Sequence, residues 1–330
     1  MSAGKLQFLL DLQDNLGGCI PFDRWMQEAL YNESFGYYTA NIREFGRHGD
    51  FTTWPALNDG LGRAIGRWIL KNKPSGRLNV IEIGAGSGEL AASVMRTIGW
   101  WHRPRYHIVE ISPRLRQAQQ KLLGSRAAWH TSVSDALETA RGTAMIFSNE
   151  LVDAFPCRVF RKDPTGWREL AIRIEGTRAA EQWIVRPLPD STAFLHPWPE
   201  GQRIEVHESV RVWLRGWLPA WESGSMLTID YGDTCPALYQ RHPRGTLRAY
   251  AHHQRLEGHE VYGGFGLRDL TADVNFSDLQ CNSALSTNTS ATLAEFIVPN
   301  DPSTPRDGTA QRLHAPGGAG EAFKVLIQRR

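Results

Sequence analysis

The pattern of apolar and polar positions changes character along the chain. Apolar residues recur at helical spacing over 5–16 (KLQFLLDLQDNL) and 21–31 (PFDRWMQEALY), where Pro21 suits an early helical position. A third helix is predicted over 57–70. Between them, 35–55 (FGYYTANIREFGRHGDFTTWP) is rich in glycine and aromatic residues and has no period, which predicts a loop. From 78 onward the pattern alternates. A short apolar run, 78–83, ends in GAGSG at 84–88, and a helical stretch follows at 89–98. A strand is predicted at 105–111, a helix opened by Pro113 at 113–123, and strands at 128–133 and 144–148. Strands and helices in alternation over short connections predict an α/β fold with a doubly wound parallel sheet.

After 150 the alternation stops. Residues 157–161 and 167–174 read as an antiparallel pair joined by DPTG, 208–221 as a helix, 224–232 as a buried strand and 323–328 as a final strand. The span 277–318 is dominated by Ser, Thr, Asn, Pro and Gly, interrupted by an apolar patch at 293–298, and predicts an irregular excursion.

Composition narrows the classes. The chain has 330 residues, 41% hydrophobic and 22% charged, which suits a folded globular protein of one large or two ordinary domains. Lys plus Arg is 37 against 35 Asp plus Glu, a net charge of +2, too little to imply a general nucleic-acid or membrane-surface binder. Cys19, Cys157, Cys235 and Cys281 form no CxxC pair, which argues against a zinc ribbon or a disulfide framework. His242, His252, His253 and His259 lack carboxylates at ligand spacing, so no metal site is expected. No apolar run approaches the ~18 residues of a membrane span. The first eighteen residues carry Asp11 and Asp14, contain no arginine and lack a signal-peptide layout, so the expectation is a soluble cytoplasmic protein. Trp68, Trp213, Trp217 and Trp221 stand at apolar helical positions and are expected to pack in the core.

Chemistry concentrates at two strand ends. In IEIGAGSG, Gly84, Gly86 and Gly88 allow a sharp strand-to-helix turn whose backbone can approach a ligand. The dinucleotide fingerprint G-x-G-x-x-G would need glycine at 89, where this chain has Glu89, a poor neighbour for a pyrophosphate. The E-x-G-x-G-x-G form suits S-adenosylmethionine (SAM), which has no phosphate, with Glu82 placed to favour its ammonium group. Glu110 ends the second strand, where a carboxylate can accept both ribose hydroxyls of a nucleoside. Ser134 and Asp135 follow the third strand, where an adenine-contacting loop would lie. Taken singly, each of these is also what an ordinary turn and a solvated acid look like.

The fourth strand exits into SNELVDAFP, 148–156. In a doubly wound sheet ligands bind at the carboxyl ends of the strands, at the switch point, which would put Asn149, Glu150 and Asp153 beside the reactive end of the cofactor. Carboxylates there could grip a guanidinium and draw its positive charge away from the attacking nitrogen. Alternatively, Asn149 and Asp153 cap and order the loop, leaving Glu150 alone near the chemistry.

With these residues in view, the chain resembles the MidA-like family of SAM-dependent methyltransferases, the family of the mitochondrial complex I assembly protein arginine methyltransferase. The matching blocks are 20–38, 46–55, 81–90, 106–119, 148–160, 229–233, 245–250, 269–276 and 323–326. The resemblance implies a class I, Rossmann-like methyltransferase core with a helical N-terminal part and α+β substrate-side insertions. It implies protein arginine methylation for at least part of the family. It also implies that Gly49, Asp50 and Phe51 form a loop near the cofactor, that Gly84, Gly86, Gly88 and Glu110 bind it, and that Asn149, Glu150 and Asp153 sit at the reaction site. Departures are Ala85 in place of proline, Asp273 in place of histidine and Asn275 in place of aspartate.

The expected organisation is therefore an N-terminal helical region at 1–77, a SAM-binding half at 78–150, the second half of the core with insertions at 151–276, an irregular loop at 277–318 and a final core strand at 319–330. The expected function is methyl transfer from SAM to an arginine of a protein substrate, with neither nucleic acid nor membrane as partner. A small-molecule oxygen or nitrogen acceptor, and a non-catalytic SAM-binding assembly factor, stand as alternatives.

Overall fold

A computed structural model describes residues 2–42, 60–251, 254–281, 285, 287–301 and 318–330. The chain divides into two compact units. One comprises Met1–Arg43, Val152–Val212 and Asp233–Leu279, and the other Glu44–Leu151, Trp213–Gly232 and Gln280–Arg330.

The second unit carries the doubly wound sheet. Its strands lie in the order Thr287–Thr292, Phe323–Arg329, Ser225–Asp233, Met145–Asn149, Asn79–Ile83, Arg105–Val109 and Ala127–His130. The last five run parallel, and Phe323–Arg329 is antiparallel to both its neighbours. From Asn79–Ile83 the chain winds outward through Arg105–Val109 to Ala127–His130, then returns to place Met145–Asn149 on the other side. The switch point therefore lies between the carboxyl ends of Asn79–Ile83 and Met145–Asn149.

Sequence-local causes set the helices around this sheet. Glu89–Ile98 starts at Gly88, whose φ of +86° is left-handed, and buries Leu90, Ala91, Val94 and Ile98. Pro113 opens Pro113–Leu123 and Gly124 closes it. Ser132 caps Val133–Ala140 by accepting the Asp135 amide. Gly60–Asn72 lies close against Glu89–Ile98 because Gly62 and Gly66 have no side chains: a Cβ at Gly62 would stand 2.3 Å from Ser93 Oγ, and one at Gly66 2.6 Å from Thr97 Cβ. The parallel strands bury Val80, Ile81, Ile108, Met145, Phe147, Leu227 and Ile229. Such apolar strands suit a sheet covered on both faces. Trp68, Trp217 and Trp221 are buried, whereas Trp213 is only partly so.

The irregular excursion expected over 277–318 is corrected at 287–300. Thr287–Thr292 pairs with Phe323–Arg329, and Leu293–Asn300 is a helix. A capping box starts that helix: Thr292 Oγ1 accepts the Glu295 amide and the Glu295 carboxylate accepts the Thr292 amide. The polar strand is held by its neighbour's backbone rather than by apolar alternation, so periodicity misses it. Residues 302–317 lie outside the described residues.

The first unit is built on an antiparallel sheet in the order Ile20–Pro21, Gly166–Glu175, Arg158–Asp163 and Arg203–Val206, with Arg178–Ile184 also paired to Gly166–Glu175. The expected hairpin closes at Asp163 and Gly166. The helices Ala3–Asn15 and Phe22–Tyr31 belong to the same unit, and Gln13 Oε1 accepts the Ile174 amide at 2.6 Å. A smaller sheet joins Gln254–Leu256, Arg248–Ala251 and Asp269–Thr271.

Candidate active site

In the sheet-bearing unit, the glycine turn leaves Asn79–Ile83 at the switch point. Gly84, Gly86 and Gly88 have φ of +72°, +52° and +86°, backbone that L side chains rarely adopt. A Cβ at Gly84 would also stand 2.9 Å from Leu151 Cδ1, so the turn packs tightly against the chain leaving the fourth strand.

Two carboxyls flank this turn. Glu82 is buried in its strand and accepts a hydrogen bond from Tyr106 Oη at 2.5 Å. Burial drives its pKa up from 4.5 to about 8; the Tyr106 hydroxyl pulls it back and the neighbouring Glu110 pushes it further. Glu110 is buried at the end of its own strand. Its Oε1 accepts the Ser112 amide and its Oε2 accepts Gln119 Nε2, each at 2.9 Å. Burial raises its pKa too, opposed by these hydrogen bonds. Gln119 Nε2 also donates to the Gly86 carbonyl at 2.9 Å, while Gln119 Oε1 accepts Trp129 Nε1 at 3.0 Å. One fully buried amide thus ties the glycine turn to Glu110. Sequence reasoning missed Gln119 and Tyr106. Gln119 falls on the apolar stripe of Leu115 and Leu123, and a polar residue on such a stripe is the signal that could have found it.

Beyond the fourth strand, Glu150 takes φ +51°, unusual for a residue with a side chain. Its amide donates to the Ile229 carbonyl at 3.0 Å, and the next amide, Leu151, donates to Asp230 Oδ2 at 3.1 Å. Asp230, fully buried, therefore sets this turn. Asn149 Nδ2 donates to Glu150 Oε1 at 3.0 Å. Asn149 Oδ1 is buried with no hydrogen-bond partner among the described residues. A buried acceptor without a donor and a buried carboxyl poised to ionise suit a ligand that brings N–H donors and a positive charge.

The remaining expected residues are placed differently. Ser134 and Asp135 are exposed in the first turn of Val133–Ala140, with Asp135 Oδ2 accepting Thr131 Oγ1 at 3.4 Å. Gly49, Asp50 and Phe51 lie outside the described residues. Asp153 belongs to the other unit, in the turn Val152–Ala154, where its carbonyl accepts the Ala272 amide at 3.0 Å. In that unit Arg248, almost fully buried, pairs with Asp273 Oδ1 at 2.5 Å. Burial works against the guanidinium charge, but Asp273 overrides it, with Tyr250 and Asp153 adding to the effect. The Tyr38 phenol, 2.8 Å from Asp269 Oδ1, is pushed well up by burial and by the nearby Asp269, Tyr31 and Asp153. Two of the three departures noted in the sequence, Asp273 and Asn275, have structural roles here. Asp273 neutralises Arg248, and Asn275 bridges Thr192 Oγ1 at 3.0 Å and the Ser277 amide at 3.1 Å.

A doubly wound sheet with a glycine turn and an acid at the end of the second strand is the architecture of a nucleoside-cofactor enzyme. The family model described as "Putative S-adenosyl-L-methionine-dependent methyltransferase" matches residues 61–294, and the chain belongs to that family. SAM is the cofactor of the family. The protein arginine methyltransferase NDUFAF7 of Danio rerio is 28% identical over 300 residues, covering 80% of this chain and 68% of that one. The Drosophila melanogaster homolog is 26% identical over 299 residues, covering 78% and 65%. This chain thus spans about two thirds of the length of these relatives. A crystal structure from Burkholderia thailandensis bound to S-adenosyl-homocysteine superposes with TM-score 0.82 at 27% identity, covering 100% of this chain and 94% of that one. The cytoplasmic expectation is corrected: these curated relatives are named mitochondrial.

Proposed function

We propose that this chain transfers a methyl group from SAM to an arginine of a protein substrate, and that Glu150 acts on the acceptor. The supporting observation is the strained backbone of Glu150. A left-handed, non-glycine residue persists only where its surroundings hold it, and here the Ile229 carbonyl and the Asp230 carboxylate do so at the switch point. The names of the curated relatives, protein arginine methyltransferases, favour the same reading.

Gly84, Gly86 and Gly88 would hold the amino-acid end of SAM, Glu82 its ammonium and Glu110 its ribose hydroxyls, with Ser134 and Asp135 toward the base. Bound SAM supplies a methyl group already activated on a sulfonium. The protein's task is then to align and tune the nucleophile. Asn149 orients Glu150 by its 3.0 Å hydrogen bond. The Glu150 carboxylate would bind the acceptor guanidinium and localise its positive charge on the nitrogens that do not attack. The surroundings of Asp153, a buried turn tied to Ala272 and in the field of Arg248, favour a role in ordering rather than in chemistry.

Single-turnover transfer to arginine-containing protein substrates, measured beside S-adenosyl-homocysteine dissociation constants, tests this. Glu150→Gln should lower the rate about 100- to 1000-fold with cofactor affinity nearly unchanged. Equal losses in rate and affinity would make Glu150 a cofactor residue. An unaffected rate, or labelling confined to small molecules, would overturn the arginine reading.

A further inference from the structure

The net charge of +2 conceals a strong asymmetry within the sheet-bearing unit. The parallel strands begin at one edge of the sheet, opposite the glycine turn. Register aligns Asn79 with Arg105, Tyr106 with Ala127, Val80 with Met145 and Ser225 with Arg329 there. The loops of this edge display the exposed cations Lys71, Lys73, Arg77, Arg103, Arg105 and Arg141. Glu138 and Glu222 are the acids among the described residues of these loops and the helical turns that lead into them.

At the same edge, Trp100 and Trp101 are 76% and 69% exposed, although tryptophan is among the residues that burial favours most. Their display is built into the backbone. Gly99 takes φ +76°, and a Cβ there would stand 2.7 Å from Trp101 Nε1, so only glycine lets the indole fold over the turn. The two rings lie against each other, with centroids 4.8 Å apart, rather than standing apart as a slot for a nucleobase.

We propose that this edge docks on an anionic phospholipid surface, with the Trp100–Trp101 pair entering the headgroup region and the surrounding Lys and Arg residues meeting lipid phosphates. Tryptophan amid Lys and Arg is the combination that the water–bilayer interface favours, because the indole is apolar with one polar N–H and the cations are drawn by the negative surface potential. No helix among the described residues is long and apolar enough to cross a membrane, and the contact proposed here is one made by this surface edge. Docked this way, the glycine turn would lie at the edge of the sheet away from the lipid.

Co-sedimentation of the full chain with phosphatidylcholine vesicles, with and without phosphatidylglycerol, tests the proposal. Binding is expected only with the anionic lipid, falling steeply as salt shortens the screening length. Arg103→Ala with Arg105→Ala should weaken it roughly fivefold per charge removed. Trp100→Ser with Trp101→Ser should weaken it roughly tenfold or more. Both variants should keep the wild-type melting temperature and S-adenosyl-homocysteine affinity, since neither pair is near the glycine turn or in the core. Absence of binding to anionic vesicles at low salt would overturn the proposal. So would equal binding to neutral vesicles, or insensitivity to both variants. If single-stranded RNA displaces the vesicles and its own affinity falls in the same variants, the edge belongs to nucleic acid instead.

Discussion

Glu82 offers a sharp test of how the cofactor cradle works. In the free protein its pKa of about 8 makes it mostly neutral at pH 7, whereas an ammonium ligand needs it ionised. Binding should therefore expel a proton. With a pKa of 8, ionising the carboxyl costs about 1.4 kcal/mol at pH 7 and about 2.7 kcal/mol at pH 6. Affinity for S-adenosyl-homocysteine should thus rise roughly tenfold from pH 6 to pH 7. Calorimetry in buffers of different ionisation enthalpy should show close to one proton released per site. Adenosine, which has no ammonium group, should show neither effect, and Glu82→Gln should abolish both for S-adenosyl-homocysteine. Buffer-independent enthalpies for the wild-type protein would refute the assignment of Glu82 to the ammonium. The same group gives a sign for stability. Above pH 4.5 the unfolded chain releases this proton while the folded protein keeps it until about 8. This group should therefore cost the unliganded fold stability across that window, by at most about 5 kcal/mol, against the opposite trend of the buried His107 and His207, whose pKa values are lowered to about 4; the difference between wild-type and Glu82→Gln thermal melts from pH 5 to pH 8 would record it.

Other residues give further expectations. Gln119→Leu leaves the Gly86 carbonyl, the Trp129 indole and one oxygen of Glu110 without their shared partner, and should weaken S-adenosyl-homocysteine binding by about 1–3 kcal/mol in calorimetry. Asp273→Ala removes the carboxylate paired with the buried Arg248 and should cost about 3–5 kcal/mol in denaturant unfolding, whereas Asp273→Ala with Arg248→Met should recover much of it. Gly66→Val drives a side chain into Thr97 and should cost about 1–3 kcal/mol; an unchanged melting temperature would mean that the two helices can separate without loss.

Much of the sheet-bearing unit is legible in the linear chain because its causes are local. Glu89–Ile98 and Pro113–Leu123 are bounded by Gly88, Gly99, Pro113 and Gly124, residues whose backbone preferences act within one turn. The glycine turn, Glu82, Glu110 and the SNE-x-x-D exit can be placed because strand ends can be placed, and strand ends in this topology face the ligand. Tertiary structure alone decided which distant groups share a proton or a charge. Tyr106 reaches Glu82 from the adjacent strand, Asp230 holds the Leu151 amide from a strand 79 residues further on, and Asp273 finds Arg248 across 25 residues. Periodicity reports which face a side chain takes but not what stands opposite, so these pairings were invisible. Thr287–Thr292 was missed for the same reason: its hydrogen bonds come from Phe323–Arg329 and not from its own apolar content. Net charge likewise sums over the whole chain. Only the alignment of strand ends gathers Lys71, Arg77, Arg103 and Arg141 on one edge, and with them the surface that the composition had seemed to exclude.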